Sequence, residues 1–115
     1  MFMDEKCERV NPGSLEKLIE SLPTGESISK MAAVFRALQS DTRLKILFLL
    51  GRKEMCVCEL EQALEVTQSA ISHSLRTLRQ LDLVRVRREG KFTIYYIADE
   101  HVRLLIEMCL EHVEE

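Results

Sequence analysis

The apolar pattern changes its period at Asp82, and this change constrains the fold more than any other feature of the 115-residue chain. Before Asp82, apolar residues recur every three or four positions, which is the spacing of amphipathic helices. After it, alternation predicts two strands, marked by Val84 and Val86 and by Ile94 and Tyr96. The charged segment Arg87–Lys91 between them predicts a tight turn. Since a last helix is predicted from Asp99 to the end, a β-hairpin should lie between helices.

Two helices and a turn precede the predicted hairpin. Cys58–Glu65 predicts a short helix and Gln68–Leu81 a longer one, and Thr67 in the turn between them is expected to cap the second. Short helix, turn and longer helix form the helix-turn-helix arrangement. The predicted fold class is therefore mainly α with a small β-hairpin wing, a winged helix-turn-helix. Three further helices are predicted upstream, over Ser14–Leu22 with Ser14 as a cap, Ser27–Leu38, and Leu44–Leu50 with Ser40 or Asp41 as a cap.

The charge is divided unevenly along the chain, although its net value is only −3. Residues 69–91 carry six basic and two acidic side chains, a net charge of +4, whereas residues 99–115 carry one basic and six acidic side chains, a net charge of −5. A basic segment followed by an acidic helix suits a protein that meets DNA with one part and binds cations with another.

The predicted second helix has one polar face opposite its apolar stripe. Serine, histidine, glutamine and arginine side chains on such a face can bond base edges or phosphates in a major groove. The basic hairpin can rest on phosphates or enter a minor groove. A solvated amphipathic helix with a charged turn is the alternative explanation. The predicted DNA contacts are Gln68, Ser69, Ser72, His73 and Arg76 on the helix, and Arg87, Arg88 and Lys91 on the hairpin.

Two histidines, each with a carboxylate nearby, are spaced along the last predicted helix. His101 and His112 are eleven residues apart, with Asp99 before the first and Glu115 after the second. On one helix the histidines would be about 16 Å apart along the axis, whereas zinc holds its ligands at roughly 2.0–2.2 Å. Two antiparallel copies can bring one pair against the other, which predicts a homodimer with two zinc sites. The alternative is that Asp99 only caps the helix.

Cys56 and Cys58 form a second candidate metal site. Two thiolates in a Cys-x-Cys sequence can share a soft cation where the backbone is extended or just entering a helix, but in mid-helix they would point about 160° apart. Cys7 is the candidate third ligand. Cysteine is also commonly buried as a small hydrophobic residue, and Cys109 is expected to pack in a dimer interface.

Residues 27–115 resemble the ArsR/SmtB family of metal-sensing repressors. The resemblance is carried by Glu54–Leu60, by Ser69–Leu75, and by the basic hairpin followed by Asp99–His101. It implies a homodimer that binds double-stranded operator DNA, an imperfect inverted repeat, without metal and releases it when zinc, cadmium or lead binds. It also implies that Asp99, His101, His112 and Glu115 hold zinc, and that Cys7 completes the thiolate site.

The expected organisation has three parts: an N-terminal arm and short helix (1–26), a DNA-binding domain (27–98) and a dimerisation and metal-binding helix (99–115). No apolar run approaches the roughly 20 residues of a membrane span, and the N-terminus lacks the pattern of a signal peptide. A cytoplasmic protein without a membrane partner is therefore expected.

The cysteines also allow rival functions. Metal storage is one, but four cysteines are few for it and the basic hairpin would have no role. Two others remain. The first is a thiol-redox or persulfide-sensing regulator of the ArsR type, in which Cys56, Cys58 or Cys109 is oxidised. The second is an enzyme, but Cys-x-Cys lacks the usual Cys-x-x-Cys redox spacing. The histidine–carboxylate quartet would also leave no open position for a zinc-bound water. We therefore expect a regulator rather than an enzyme.

Overall fold

A computed structural model describes residues 7–115. They fall into two compact units that divide between Met31 and Ala32. The division at 26/27 and 98/99 stays a prediction. No helix within residues 7–115 is long and apolar enough to cross a membrane. The elements, in chain order, are α1 (Pro12–Glu20), α2 (Gly25–Ala37), α3 (Asp41–Arg52), α4 (Val57–Leu64), α5 (Gln68–Gln80), β1 (Val84–Glu89), β2 (Phe92–Ile97) and α6 (Glu100–Val113).

The helix starts are set by side-chain caps. The Thr67 hydroxyl accepts the Ala70 N–H at 3.1 Å and begins α5, and the Ser40 hydroxyl accepts the Arg43 N–H at 3.2 Å and begins α3. Both caps were predicted and are confirmed.

The prediction that Ser14 caps the first helix is wrong. The Asn11 side chain accepts the Ser14 N–H at 3.2 Å, so α1 begins at Pro12. Proline favours this first helical position because its φ is already helical and its missing N–H would have had no partner there. A helix therefore starts at Asn11-Pro12, although these residues were predicted to end an N-terminal arm without helical structure.

Helix α3 continues through Gly51 to Arg52, beyond its predicted end at Leu50. The Arg103 side chain of α6 donates to the Gly51 carbonyl. A Cβ on Gly51 would lie only 3.3 Å from Arg103 Nη1. Glycine at this position therefore leaves room for the Arg103 guanidinium beside the last turn of α3.

The hairpin turn is shorter than predicted. β1 and β2 pair in antiparallel register from Val84 with Ile97 to Glu89 with Phe92, which leaves only Gly90 and Lys91 in the turn. Gly90 has a φ of +63°, a conformation that glycine adopts without a steric cost. Arg87 and Arg88, predicted to lie in the turn, are strand residues.

One apolar core joins α3, α4, α5, α6 and the hairpin. Ile71, Leu75 and Leu78 of α5 are fully buried in it, which confirms the apolar stripe on that helix. The short α4, the turn at Thr67 and the longer α5 make the helix-turn-helix, and β1 and β2 follow as the wing. The predicted fold class is confirmed. Other core residues include Ile46, Leu47, Leu50, Leu60, Val84, Val102 and Ile106.

Candidate nucleic-acid interface and metal-binding residues

The predicted DNA-contacting residues of α5 lie together at its N-terminal half. A groove of about 370 Å³ is lined by five side chains, of which only Ser72 is half-buried and the others are exposed. Because an α-helix repeats every 3.6 residues, burial of the apolar stripe of α5 leaves these polar side chains on the opposite, solvent-facing side. The five residues are Gln68, Ser69, Ser72, His73 and Arg76.

A second groove, of about 430 Å³, continues along α5 toward the wing. Ser72 and Arg76 line it together with Arg79, Gln80 and Tyr95. Sequence reasoning did not place Arg79 and Tyr95 among the candidate site residues. The strand period does place Tyr95 on the opposite face of β2 from Ile94 and Tyr96, so the alternation contained that signal.

The basic residues of the wing are less free than the sequence indicated. Arg87 forms ion pairs with Glu54 and with Glu89, the latter at 3.1 Å, and its guanidinium lies 5.8 Å from the Tyr96 ring centroid. The Glu54 carboxylate and then that of Glu89 raise the pKa of Arg87 above its ordinary value. Arg87 is therefore engaged within the chain.

The other two basic residues of the wing make weaker contacts. Arg88 Nη1 lies 3.4 Å from the Thr93 hydroxyl oxygen. The Lys91 ammonium lies 5.7 Å from the centroid of the Phe92 ring, at the exposed tip of the hairpin. Both cations are exposed and can reach an external phosphate.

Cys56 and Cys58 lie where α4 begins. Cys56 is the N-cap residue, with extended dihedrals (φ −89°, ψ 171°), and Cys58 is the second residue of the helix. Both thiols are free, Cys56 half-buried and Cys58 exposed. The pair thus enters a helix rather than lying within it, which is the condition that chelation by Cys-x-Cys requires.

The Glu59 carboxylate holds the start of α4 in place. It accepts the Cys56 backbone N–H at 3.1 Å and pairs with the Lys53 ammonium at 3.1 Å. The hydrogen bond from the Cys56 N–H, followed by that from Lys53, lowers the pKa of Glu59 below 4.5. A glutamate at this position is one half of a capping box.

Replacing Glu59 with glutamine should lower stability at neutral pH, and the difference from wild type should disappear in acid. Because the pKa of the carboxyl is depressed below 4.5 on folding, its contribution is complete above 4.5 and is lost as the pH falls through the folded-state pKa. Urea unfolding midpoints of both proteins at about pH 7 and about pH 3 measure this. Equal midpoints at the higher pH would contradict it.

The four C-terminal candidates lie at opposite ends of α6. The Asp99 carboxylate accepts the Val102 N–H at 3.1 Å and caps the helix, and its Oδ1 atom is 3.7 Å from His101 Nδ1. The His101 side chain is 94% exposed. His112 lies in the last turn of α6 and Glu115 follows it, and both are exposed. Asp99 therefore has a capping role in the single chain, and the quartet stays a prediction.

One chain alone does not complete a metal site. Within residues 7–115, no group of three or more histidine, cysteine or acidic side chains lies close enough to hold an ion. Cys7, the candidate third thiolate, is exposed and belongs to the N-terminal unit. Its role as a ligand stays a prediction.

An apolar groove of about 460 Å³ lies between α6, α3 and the end of α2. Cys109 lines this groove with an exposed free thiol, beside apolar side chains of α6. Met108 and Val113 on the same helix are each 68% exposed. The remaining lining residues include Phe35, Leu38, Leu44, Phe48, Leu105 and Leu110.

Known proteins are similar to this chain in both sequence and fold. The sequence model of the bacterial regulatory protein arsR family matches residues 40–86. The chain is 41% identical over 90 residues to a transcriptional repressor SmtB homolog of Synechocystis sp., covering 78% of this chain and 68% of that protein. It is also 41% identical to a cadmium resistance transcriptional regulatory protein CadC homolog of Staphylococcus aureus, over 74% of this chain and 71% of that protein.

A solved structure of the same architecture supports the assignment. It is the homodimeric winged helix-turn-helix DNA-binding domain of a possible ArsR-family regulator from Mycobacterium bovis. It superposes with a TM-score of 0.72 at 28% identity, over 98% of this chain and 92% of that one. From its sequence and its winged helix-turn-helix fold, the chain belongs to the ArsR family of bacterial regulatory proteins.

Proposed function

We propose that the protein is a metal-responsive transcriptional repressor that binds operator DNA as a homodimer and releases it when zinc, cadmium or lead binds. The observation that carries this proposal is the position of Cys56 and Cys58 at the start of α4, the first helix of the helix-turn-helix. An ion bound there lies next to the DNA-reading part of the fold. The similar proteins are named a repressor and a cadmium resistance regulator, which supports the same role here.

The donor atoms fit these metals. Thiolates suit zinc and the softer cations, and imidazole with carboxylate suits zinc. Cys56 and Cys58, joined by Cys7, would bind the softer ion. Asp99 and His101 of one subunit, with His112 and Glu115 of another, would bind zinc.

The apolar groove beside α6 supports the homodimer. Monomeric proteins rarely leave a large apolar patch uncovered, and Met108 and Val113 are strongly exposed on this helix. Two copies packed through α6 would cover these side chains and present two recognition helices to an inverted repeat.

Metal titration on DNA tests the proposal. Fluorescence anisotropy with a labelled fragment from upstream of the protein's own gene gives the operator affinity, in reductant, with zinc, cadmium, lead or arsenite. Metal should weaken operator binding by about 5- to 150-fold, the usual range for allosteric coupling.

Thiol oxidation is the second candidate function, favoured by the exposed thiols of Cys58 and Cys109. If an oxidant or persulfide released the operator while zinc, cadmium and lead left the affinity unchanged, the metal proposal would be wrong and thiol sensing would replace it. Mass spectrometry of the treated protein identifies which thiol reacted.

A further inference from the structure

The segment between α3 and α4 is bound to the wing through its backbone. The Met55 N–H donates to the Tyr95 carbonyl at 3.1 Å, and the Tyr95 N–H donates back to Met55 at 2.8 Å. Met55 immediately precedes Cys56 in the chain. Two hydrogen bonds therefore join the residue before the thiol pair directly to β2.

A side-chain contact ties the same segment to the other strand of the wing. The Glu54 carboxylate pairs with the Arg87 guanidinium of β1. The two side chains are 47% and 44% exposed, so the pair is accessible to solvent. Arg87 also lies against the Tyr96 ring, which joins it to β2.

The ends of this segment are held as well. Arg103 donates to the Gly51 carbonyl before it, and Glu59 binds Lys53 and the Cys56 N–H after it. The segment is therefore bonded at both of its ends and, in its middle, to the wing. Energetic coupling in proteins is carried by such contiguous contacts.

We propose that Glu54 is a positioning residue that couples the Cys56–Cys58 pair to the wing by holding Arg87. This coupling rests on the proposed function. Metal on the thiols moves residues 53–56, Glu54 carries Arg87 with it, and the wing leaves its DNA-binding position. Because a ligand shifts an equilibrium only by its different affinity for the two states, the thiol site must bind metal differently in the two wing positions.

Glu54→Gln tests the coupling, with Glu65→Gln as the matched control. Both changes remove one exposed negative charge from the helix-turn-helix region, but Glu65 forms no ion pair within residues 7–115. The measured quantity is the ratio of operator Kd with cadmium to that without. General charge effects on DNA binding cancel in this ratio. For Glu54→Gln we expect a ratio about three- to fivefold smaller than wild type, the upper end of what an exposed ion pair contributes, and for Glu65→Gln a ratio within about 1.5-fold of it.

Cadmium binding itself is followed through the ultraviolet charge-transfer band of its thiolate bonds. This band should be the same in Glu54→Gln as in wild type. A Glu54→Gln protein that responds to cadmium as wild type does would overturn the coupling alone. Loss of the band would also overturn it, since Glu54 would then be needed for metal binding. A wild-type protein that releases its operator with zinc but keeps it with cadmium bound would also overturn the coupling alone. One that keeps its operator with zinc, cadmium and lead would instead contradict the proposed function.

Discussion

Cys56→Ser should bind the operator as wild type does and should not respond to cadmium. Serine is a preferred N-cap residue, so α4 keeps its start and the fold is retained. A hydroxyl does not replace a thiolate for a soft cation, so the metal-dependent loss of affinity, which we expect to be about 5- to 150-fold in wild type, should fall to near unity. Anisotropy with and without cadmium, in reductant, measures both quantities. Cys58→Ser should behave in the same way.

Cys109→Ser is the matched control, since it removes a free thiol that lies on α6, beside the apolar groove. It should respond to cadmium as wild type does. Cys7→Ser should weaken cadmium binding, because it removes the proposed third thiolate. If Cys56→Ser still released the operator with cadmium, the thiol pair would not be the sensing site.

Met108→Asp should separate the homodimer and weaken operator binding by about 10²- to 10⁴-fold, because a monomer loses the gain from engaging two half-sites. The side chain is 68% exposed in a single chain, so the substitution should leave the fold of each subunit intact. In the proposed dimer it would place a carboxylate in an apolar contact, where burial without a partner is costly. Sedimentation analysis gives the mass, and anisotropy gives the affinity.

Met108→Leu is the conservative control, since leucine keeps the side chain apolar and close in volume. It should remain dimeric and bind the operator normally. A Met108→Asp protein that stayed dimeric would show that the subunits meet elsewhere. A monomer that kept the wild-type affinity would show that one subunit is enough to read the operator.

The helices and strands were predicted well because the sequence features that indicate them depend on residues close together in the chain. The Thr67 cap, the buried stripe of α5 and the change to strand alternation after Asp82 all depend on contacts within a few positions. The predicted turn length and the predicted start of α1 were wrong, and in each case the conformation of a single residue determines the local structure. Gly90 adopts a positive φ and confines the turn to two residues, and Asn11 uses its side chain to start a helix.

The candidate site was predictable only in part, for the same reason. Helical period alone placed His73 and Arg76 on one face of α5. The pairing of Arg87 with Glu54, however, joins residues that are 33 positions apart and depends on how the hairpin folds back against the segment before α4. No local pattern reports such a contact, so Arg87 was expected to be free for DNA.

Only one of the two outer edges of the wing is covered, and this affects the solubility of the protein. Met55 covers part of the outer edge of β2, whereas the outer edge of β1 pairs with nothing in residues 7–115. Exposed strand edges invite pairing with other chains, and charged side chains discourage it. We therefore expect Arg85, Arg87 and Arg88 to discourage such pairing along β1. Neutralising all three to study DNA binding should make the protein less soluble, whatever it does to the affinity.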